Sequence, residues 1–270
     1  MMEKQRKVVI LGAGHVGSHC AYALAQSGVC EEIVLVDKDA DKASAQAMDV
    51  ADSISFAPGD VIVRGGDYAD CAEADVVVIS IGEPRKPGQT RLDLLDSSIA
   101  MLDVLLQDLK DVKISGIVVT ITNPADVVAD YVRKGLHMDR SRVFGTGTLL
   151  DTARLIRVLS EETGVSRRSI QAFSMGEHGD SSMIPFSAIR IGGLGINAYD
   201  ISREKVLTAT RQAGMTIIEG KKSTEFGIGR ALCEMVACIL RDEKKILPAS
   251  VYLQGEYGQE GVHCGVPCLI

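Results

Sequence analysis

The chain has 270 residues, of which 46% are hydrophobic and 24% charged, a balance typical of a globular protein with a sizeable core. The net charge of −7 disfavours nucleic acid as a partner. The charged start, Met1–Lys7, lacks the apolar centre of a secretory signal, and no apolar run reaches membrane-spanning length, so we expect a cytoplasmic protein with no membrane partner.

The chain runs from a predicted strand into a glycine-rich turn. Lys7–Leu11 is apolar and β-branched, and the residues from Gly12 to Gly17 read GAGHVG, where a helix predicted over His15–Ser27 begins. The first glycine permits a tight turn, Gly14 lets a pyrophosphate approach the backbone, and the last lets the helix pack closely on the strand. Free N–H groups at the helix start favour phosphate binding.

A second strand, Ile33–Val36, ends in Asp37 at about 20 residues after the last glycine, the spacing of dinucleotide-binding folds. The carboxylate of Asp37 is expected to bind the ribose hydroxyls of NAD and to repel the additional phosphate of NADP. The alternative is a strand–turn–helix unit that binds no ligand. The residues that we assign to the cofactor are Gly12, Gly14, His15, Val16, Gly17, Asp37, Ile81, Gly82, Ile121 and Asn123.

Strand and helix patterns alternate through the rest of the first half. The run Asp75–Ile81 is apolar almost throughout, as expected for a strand buried on both faces of a sheet. Such alternation predicts an α/β fold with a Rossmann-type doubly wound parallel sheet. The other predicted elements are helices Lys42–Asp52, Leu92–Leu109 and Ala125–Lys134 and strands Val61–Val63, Ile117–Ile121 and Arg142–Gly145.

After Gly147 the pattern changes to that of a second, α+β domain. The sequence predicts two domains, residues 1–146 and 147–270, which meet at a packed junction because no linker-like stretch separates them. The elements predicted for the second domain are helix Leu149–Glu162, strands Ser169–Ser174 and Ile184–Gly193, helices Ser202–Glu219 and Thr224–Arg241, and strands Ile246–Gln254 and Val262–Ile270.

Polar groups follow the predicted strands at the edge where open α/β sheets bind their ligands. The loop Glu83–Arg91 carries three cations among glycine and proline residues, which is typical of a flap that closes over a site. Asn123 follows the fifth strand, and a junction begins at Gly145 after the last one. We therefore expect the reactive site at this edge.

Two segments of the second domain offer acid–base chemistry. Asp151 and Arg154 lie three residues apart on a predicted helix and so share a face. His178 stands in the run GEHGD, where glycines clear backbone bulk around it. An acid–base histidine needs a carboxylate to fix its tautomer, and Asp151 is in reach if the helix and the following strand lie side by side. The alternatives are a surface-loop histidine and a surface ion pair.

The seven cysteines are interpreted as reduced and mostly buried, because several lie in apolar patterns: Cys20, Cys30, Cys71, Cys233, Cys238, Cys264 and Cys268. His263 lies directly beside Cys264 and lacks the ligand spacing of a zinc site, so no metal is predicted.

The ordered motifs resemble the L-lactate/L-malate dehydrogenase family almost from end to end. The segments that carry the resemblance are GAGHVG with Asp37, PRKPGQTR, ITNPADV, GTGTLLDTAR, GEHGDSS, KKSTEFGIG and GVPCLI. The resemblance implies an NAD-binding domain, a mixed catalytic domain, NAD as cofactor and a small 2-oxo or 2-hydroxy acid as substrate. It also implies a homodimer or homotetramer, with helix Lys42–Asp52 as a subunit contact.

The resemblance further implies a role for each matching residue. His178 is similar to the family's acid–base histidine, and Asp151 is similar to its carboxylate partner. Arg154 resembles the clamp on the C1 carboxylate of the substrate, and Arg91 resembles the loop arginine that closes over the site and polarises the C2 carbonyl. Asn123 resembles the residue that binds substrate and helps position the nicotinamide.

The substrate stays open between pyruvate and oxaloacetate. Arg85 lies where malate enzymes of the family carry an arginine for a second carboxylate and lactate enzymes usually carry glutamine. An unpaired, desolvated cation there would penalise pyruvate. Alternatively, Arg85 is a solvated flap residue that pairs with Glu83. Thr224, which matches a wall of the substrate pocket, and the run GEHGDS resemble lactate enzymes instead.

Departures from the family's pattern lead to two further expectations. Ile156 and Gln171 stand where allosteric bacterial lactate dehydrogenases have an arginine and a histidine, so we expect no activation by a sugar bisphosphate. The sequence ends at Ile270, before the family's usual C-terminal helix, and is short around Leu194–Asp200. We expect either a truncation or further residues outside this sequence, and a flap that lacks part of its usual cover.

Two other classes of protein compete with this interpretation. An NAD-dependent glycosidase of related fold would present metal ligands near its site, and the sequence shows no such set. A non-catalytic NAD-binding or sensing protein would be expected to lose His178, Asp151 or Arg154, and all three are present.

Overall fold

The computed structural model describes residues 6–57, 59–83 and 94–270. The strands are β1 (Lys7–Leu11), β2 (Glu32–Val36), β3 (Ile62–Gly65), β4 (Val76–Ile79), β5 (Ile117–Thr120), β6 (Val143–Gly145), β7 (Ile170–Gln171), β8 (Arg190–Ile191), β9 (Leu194–Gly195), β10 (Ile246–Gln254) and β11 (Glu260–Leu269). The helices are α1 (His15–Ser27), α2 (Ala40–Ser53), α3 (Leu95–Leu109), α4 (Ala125–Gly135), α5 (Leu149–Thr163), α6 (Arg203–Lys221) and α7 (Phe226–Arg241).

An eight-stranded sheet forms the centre of the fold, in the order β11-β10-β6-β5-β4-β1-β2-β3. The strands from β6 to β3 are parallel, so the doubly wound Rossmann-type sheet expected from the sequence is confirmed. All four residues of β4 are buried. This burial explains why the strand reads as a continuous apolar run, since helices cover both faces of the sheet.

Alternate residues of β1 face two separate hydrophobic cores. Val8 and Ile10 belong to a core that also contains residues of α1, α2 and α7. Val9 and Leu11 belong to a core that also contains residues of α3 and α4. Because the side chains of a strand point alternately to its two faces, helices on both sides hold the sheet in place. The carboxyl ends of β1, β4 and β5 are thereby fixed along one edge.

The last two strands extend this sheet. β10 pairs antiparallel with β11, and its Ser250 pairs antiparallel with Gly145 of β6. A Cβ at Gly145 would lie 3.2 Å from the Ser250 Cβ, so the glycine permits this close pairing. The strands were expected within the predicted second domain, and the structure shows that they extend the central sheet by covering the β6 edge, which would otherwise present unpaired backbone groups.

The second part of the chain packs α5 and α6 against a three-stranded sheet, β7-β8-β9, around a third hydrophobic core. The predicted strand Ser169–Ser174 forms only at Ile170–Gln171. The Ser174 N–H instead donates to Thr152 Oγ1 over 2.8 Å, and the Ser174 carbonyl accepts from Thr148 Oγ1 over 2.6 Å. The start of α5 therefore takes the backbone groups that a longer strand would need.

The predicted strand Ile184–Gly193 is also shorter in the structure. Phe186–Ala188 forms a turn of 3₁₀ helix, and only Arg190–Ile191 pairs as a strand. Pro185 precedes that turn and has no N–H to donate to a sheet. Among the helices that the structure describes, none has both the length and the apolar character needed to cross a membrane.

Candidate active site

A cavity of about 420 Å³ opens along the edge where β1, β4, β5 and β6 end. Both halves of the chain contribute to its walls, so residues far apart in sequence face a common space. The residues in these walls include Gly14, His15, Val16, Lys42, Ile81, Gly82, Ile121, Asn123, Arg154, His178, Gly214, Ile218, Lys222 and Thr224.

The glycine turn has the shape of a phosphate-binding loop. Gly12 has a φ of +105°, and a Cβ there would lie 2.5 Å from the carbonyl oxygen of Ser80. A Cβ at Gly17 would lie 1.9 Å from the Gly12 carbonyl oxygen, so α1 packs on the turn more closely than any larger residue permits. A Cβ at Gly14 would meet no atom within 4 Å. This open space at the start of α1 suits a pyrophosphate.

Asp37 follows β2 and lies beside the turn. Its Oδ2 accepts the Ala13 N–H over 2.8 Å and lies 3.2 Å from Lys42 Nζ, and its Oδ1 accepts the Asp39 N–H over 3.2 Å. Burial alone would raise the pKa of Asp37, but the hydrogen bonds from Asp39, Ala13 and Lys42 outweigh burial and lower it. The group is therefore a carboxylate at neutral pH, next to the phosphate-binding turn.

Asn123 lines the cavity and has a buried acceptor without a partner among the described residues. Its Oδ1 is buried and has no hydrogen-bond partner among the described residues, while its backbone carbonyl accepts from Ser98 Oγ over 2.9 Å. A buried acceptor of this kind needs a donor from elsewhere, such as a bound ligand or a water molecule. The open turn and the Asp37 carboxylate beside it make the cavity fit a nicotinamide dinucleotide, and Asn123 adds a side-chain amide to the cavity wall.

Asp151 contacts two other polar side chains of the site. His178 Nδ1 lies 2.5 Å from Asp151 Oδ2, and Arg154 Nη1 donates to Asp151 Oδ1 over 2.8 Å. The side chains of Asp151 and Arg154 are each 9% exposed, and that of His178 is 12% exposed, so water screens their interactions only weakly. The structure thus brings together the three residues that the sequence singled out for acid–base chemistry and carboxylate binding.

The loop that carries His178 is tied to two neighbouring elements. Gly176 exchanges two backbone hydrogen bonds with Gly265 of β11, over 2.8 and 2.9 Å. The His178 N–H donates to Asp126 Oδ2 in the first turn of α4 over 3.0 Å. These contacts place the imidazole at the cavity wall.

One face of α6 closes the cavity near Arg154. The sequence analysis did not identify this part of the cavity wall. A Cβ at Gly214 would lie 3.3 Å from Arg154 Nη2, so the small residue leaves room for the guanidinium. Gly214 and Ile218 lie four residues apart on α6, and Lys222, which directly follows the helix, lies four residues further along the chain. That spacing places residues on one helical face and is the signal from which this wall could have been predicted. Thr224 also lines the cavity, and its contact with substrate stays a prediction.

Four further residues named in the sequence analysis lie either outside the described residues or outside the cavity wall. Arg85 and Arg91 lie outside the described residues, so their roles stay predictions. Ile156 packs against the third hydrophobic core, and Gln171 is exposed on β7. The expectation of no sugar-bisphosphate activation, which depends on these two positions, also stays a prediction.

The cysteines have no covalent role in the structure. All seven are free, and five of them are buried. Burial raises the pKa of Cys20, Cys30 and Cys71 to about 12 in each case, which keeps them as thiols. Within the described ranges, no group of three or more His, Cys, Asp or Glu residues is placed to hold a metal ion.

A cavity with these groups suits a nicotinamide-dependent dehydrogenase that acts on a small carboxylic acid. Two family models match the chain: lactate/malate dehydrogenase, NAD binding domain, over residues 6–145, and lactate/malate dehydrogenase, alpha/beta C-terminal domain, over residues 148–270. The chain belongs to the lactate/malate dehydrogenase family. It is an NAD-dependent 2-hydroxyacid dehydrogenase of that type.

Similar proteins cover nearly the whole chain. The L-lactate dehydrogenase of Fusobacterium nucleatum is 42% identical over 283 residues, spanning 100% of this chain and 87% of that protein. An L-lactate dehydrogenase of Lactococcus lactis subsp. cremoris is 40% identical over 273 residues, spanning 98% and 87% respectively.

Solved structures of both dehydrogenase types share the fold. The minor L-lactate dehydrogenase of Enterococcus mundtii has a TM-score of 0.94 at 35% identity, covering 99% of this chain and 88% of that chain. The malate dehydrogenase of Cryptosporidium parvum has a TM-score of 0.93 at 28% identity, covering 98% and 88%. A lactate dehydrogenase of the same organism, complexed with lactic acid and nicotinamide adenine dinucleotide, has a TM-score of 0.92 at 27% identity, covering 100% and 88%.

Proposed function

We propose that the chain interconverts a small 2-oxo acid and its L-2-hydroxy acid with His178 as the proton donor and acceptor. The observation that carries this proposal is the contact of Asp151 with both His178 and Arg154 in the wall of the cavity that also contains the phosphate-binding turn. One buried carboxylate thereby connects a proton-transfer group with a cation suited to a substrate carboxylate.

Asp151 has two functions in this proposal. By accepting from Nδ1 of His178 it fixes the tautomer and leaves Nε2 for the substrate oxygen. By accepting from Nη1 of Arg154 it orients the guanidinium, whose planar set of donors suits bidentate binding of the C1 carboxylate. The substrate would then lie with its C1 end at Arg154 and its C2 oxygen at His178.

The remaining residues bind and orient. When bound, NADH supplies a hydride to the C2 carbonyl carbon of the substrate. Protonated His178 transfers its proton to the C2 oxygen during reduction, and neutral His178 takes it back during oxidation. Asn123, which lines the cavity, binds the nicotinamide or substrate through its side-chain amide. Arg91, which lies outside the described residues, has the predicted role of polarising the C2 oxygen and closing over the site.

Pyruvate is the first candidate substrate, because the relatives at 37 to 42% identity are L-lactate dehydrogenases. Oxaloacetate is the second candidate, because Arg85 supplies a cation for a second carboxylate in the segment PRKPGQTR. The test compares specificity constants for the two acids in wild type and Arg85→Gln. A fall in the oxaloacetate-to-pyruvate ratio of the variant supports the role of Arg85, and an unchanged ratio contradicts it.

The reaction class is tested by NADH oxidation with a panel of 2-oxo acids. Wild type is expected to turn over at least one of them, and His178→Asn is expected to lose most of that activity while still binding NADH. No turnover of any acid by folded wild type would leave only a non-catalytic NAD-binding role.

We also propose a cytoplasmic homodimer or homotetramer, with residues 1–146 binding the cofactor and residues 147–270 supplying most of the substrate site. Met48 on α2 is 66% exposed and Phe56, just after α2, is 100% exposed, which supports α2 as a subunit contact. Analytical ultracentrifugation of wild type and Met48→Glu tests this. A monomeric wild type, or an unchanged assembly in the variant, would contradict the proposed contact.

A further inference from the structure

Asp126 is a carboxylate of the active-site region to which the reaction described above gives no role. It lies in the first turn of α4, three residues after Asn123. Its Oδ2 accepts the His178 N–H over 3.0 Å, and its Oδ1 accepts the Ser250 hydroxyl over 2.5 Å. Burial raises the pKa of Asp126, and the hydrogen bonds from Ser250 and His178 oppose this rise by stabilising the carboxylate. Asp126 is thus held between β10 and the loop of His178.

The backbone of His178 depends on such an anchor. Gly176, two residues before the histidine, has a φ of +90°, and Gly179 directly follows it. Glycine adds little conformational restraint, so beyond the backbone pairing of Gly176 with Gly265 the loop gains further restraint from the hydrogen bond of the His178 N–H to Asp126. Asp151 holds the ring of His178, but a side-chain hydrogen bond alone lets the ring move with the loop. With Asp126, His178 is held at its backbone N–H and at Nδ1, by residues of two different helices.

Asp126 also links His178 to Asn123. Ser98 Oγ donates to the Asn123 carbonyl over 2.9 Å, which fixes the segment that enters α4. Asn123 lies just before α4 and Asp126 lies in its first turn, with only Pro124 and Ala125 between them, so the position of one is coupled to that of the other through a short stretch of chain. Both Asn123 and His178 line the cavity.

We propose that Asp126 is a positioning residue. It holds His178 at a fixed position relative to Asn123 across the cavity. The proposal rests on the proposed role of His178 as proton donor, and it makes Asp126 necessary for the rate of the chemical step without any contact to the substrate.

Two substitutions of Asp126 by side chains of similar shape separate the effect of its hydrogen bond to His178 from the effect of its packing. Asp126→Asn keeps an oxygen for the His178 N–H, whereas Asp126→Leu accepts no hydrogen bond. We expect kcat to fall about 100-fold in Asp126→Leu and less than about tenfold in Asp126→Asn, because a displacement of about 1 Å of a reacting group has effects of this size. KM for the 2-oxo acid is expected to change little. The primary deuterium isotope effect on kcat with 4-deuterated NADH is expected to rise in Asp126→Leu.

The matched control is Asp130→Asn, one turn further along α4. The Asp130 carboxylate pairs with Arg133 and Lys134 and lies 3.7 Å from His263. We expect wild-type kcat, KM and isotope effect from this variant. If the control loses activity as Asp126→Leu does, general loosening of α4 explains the result and the proposal is overturned.

Amide hydrogen exchange at His178, measured by NMR on the protein without cofactor, gives a readout besides activity. Slow exchange is expected in wild type, Asp126→Asn and Asp130→Asn, and exchange at least about tenfold faster is expected in Asp126→Leu, since its N–H loses its acceptor. If Asp126→Leu does not fold, Ser250→Ala takes its place, because it removes the donor to Asp126 Oδ1. That variant is expected to show faster His178 exchange and a several-fold lower kcat.

The outcomes separate the two proposals. If folded wild type turns over no 2-oxo acid, the proposed function fails, while slow, Asp126-dependent exchange at His178 would still support the anchor. If wild type and Asp126→Leu have equal kcat and equal exchange rates while His178→Asn is inactive, the proposed function stands and the role of Asp126 is overturned.

Discussion

Asp151 and His178 lie 2.5 Å apart, from carboxylate Oδ2 to imidazole Nδ1, although 27 residues separate them and they belong to different elements. Their side chains are 9% and 12% exposed. A carboxylate so placed stabilises the proton on Nδ1 and directs the other ring nitrogen to the substrate. The chemistry proposed for this protein depends on that contact.

Replacement of Asp151 by asparagine tests the orientation of His178. The side chain keeps its shape, but its amide has no charge and can present a donor to Nδ1, which favours the wrong tautomer. We expect kcat/KM to fall by at least about 100-fold, as for other histidines deprived of their carboxylate. The control is Glu161→Gln on the same helix, whose side chain is 54% exposed in an ion pair with Arg157. Similar activity of the two variants in steady-state kinetics would contradict the role of Asp151.

Asp37→Ser tests the choice of NAD over NADP. The substitution removes the carboxylate that would repel a 2′-phosphate and leaves Lys42, now 3.2 Å from Asp37 Oδ2, to attract it. We expect the ratio of kcat/KM for NADPH to that for NADH to rise about tenfold or more. Asp41→Ser, at an exposed position in the first turn of α2, removes an equal charge. A rise of the same size in Asp41→Ser would show that net charge, not Asp37, sets the preference.

Gly17→Ala tests the close packing of the turn. Its Cβ would lie 1.9 Å from the Gly12 carbonyl oxygen, so the turn must move. We expect NADH affinity, measured by fluorescence titration, to fall at least about tenfold, together with a loss of stability of about 1 to 3 kcal/mol. At Gly220, on α6, a Cβ meets no atom within 4 Å. Gly220→Ala is therefore expected to bind NADH as wild type does and to gain up to about 1 kcal/mol. Wild-type affinity in Gly17→Ala would contradict the account of the turn.

His263 makes stability depend on pH. Its side chain is 1% exposed, its ring nitrogens have no hydrogen-bond partner among the described residues, and burial lowers its pKa to about 4, against the opposing effect of Asp130. The unfolded chain takes up a proton near pH 6.5 and the folded chain only near pH 4, so stability is lost as pH falls through this window. The loss from this group at pH 5 is about 2 kcal/mol.

Urea unfolding of wild type and His263→Phe at pH 7.5 and pH 5 measures this effect. The variant is expected to lose about 2 kcal/mol less than wild type between the two pH values. Equal losses in the two proteins would show that His263 does not titrate as its burial predicts.

Features that depend on local sequence were predictable. The glycine turn sets the start of α1 at His15, as predicted, and the spacing of Asp151 and Arg154 places them on one face of α5. Contacts between distant segments were harder to predict. Asp126 reaches Ser250 across 124 residues, and nothing in the pattern around either residue indicates the other.

The strand lengths in the second part illustrate the same limit. Ser169–Ser174 has a strand pattern, but two threonine side chains at the start of α5 bind the backbone of Ser174 and end the strand early. Similarly, the β6 edge needs a partner on general grounds, while the choice of β10 as that partner depends on the close approach of Gly145 and Ser250.

The central claim is that the chain transfers a hydride from NADH to C2 of a 2-oxo acid with His178 supplying the proton. The most direct test incubates the protein with NADH deuterated at the transferable C4 position and with pyruvate or oxaloacetate, and analyses the product by mass spectrometry. The account predicts a 2-hydroxy acid that carries one deuterium at C2, formed by wild type and nearly absent with His178→Asn. Product without deuterium at C2, or equal labelled product from both proteins, would contradict it.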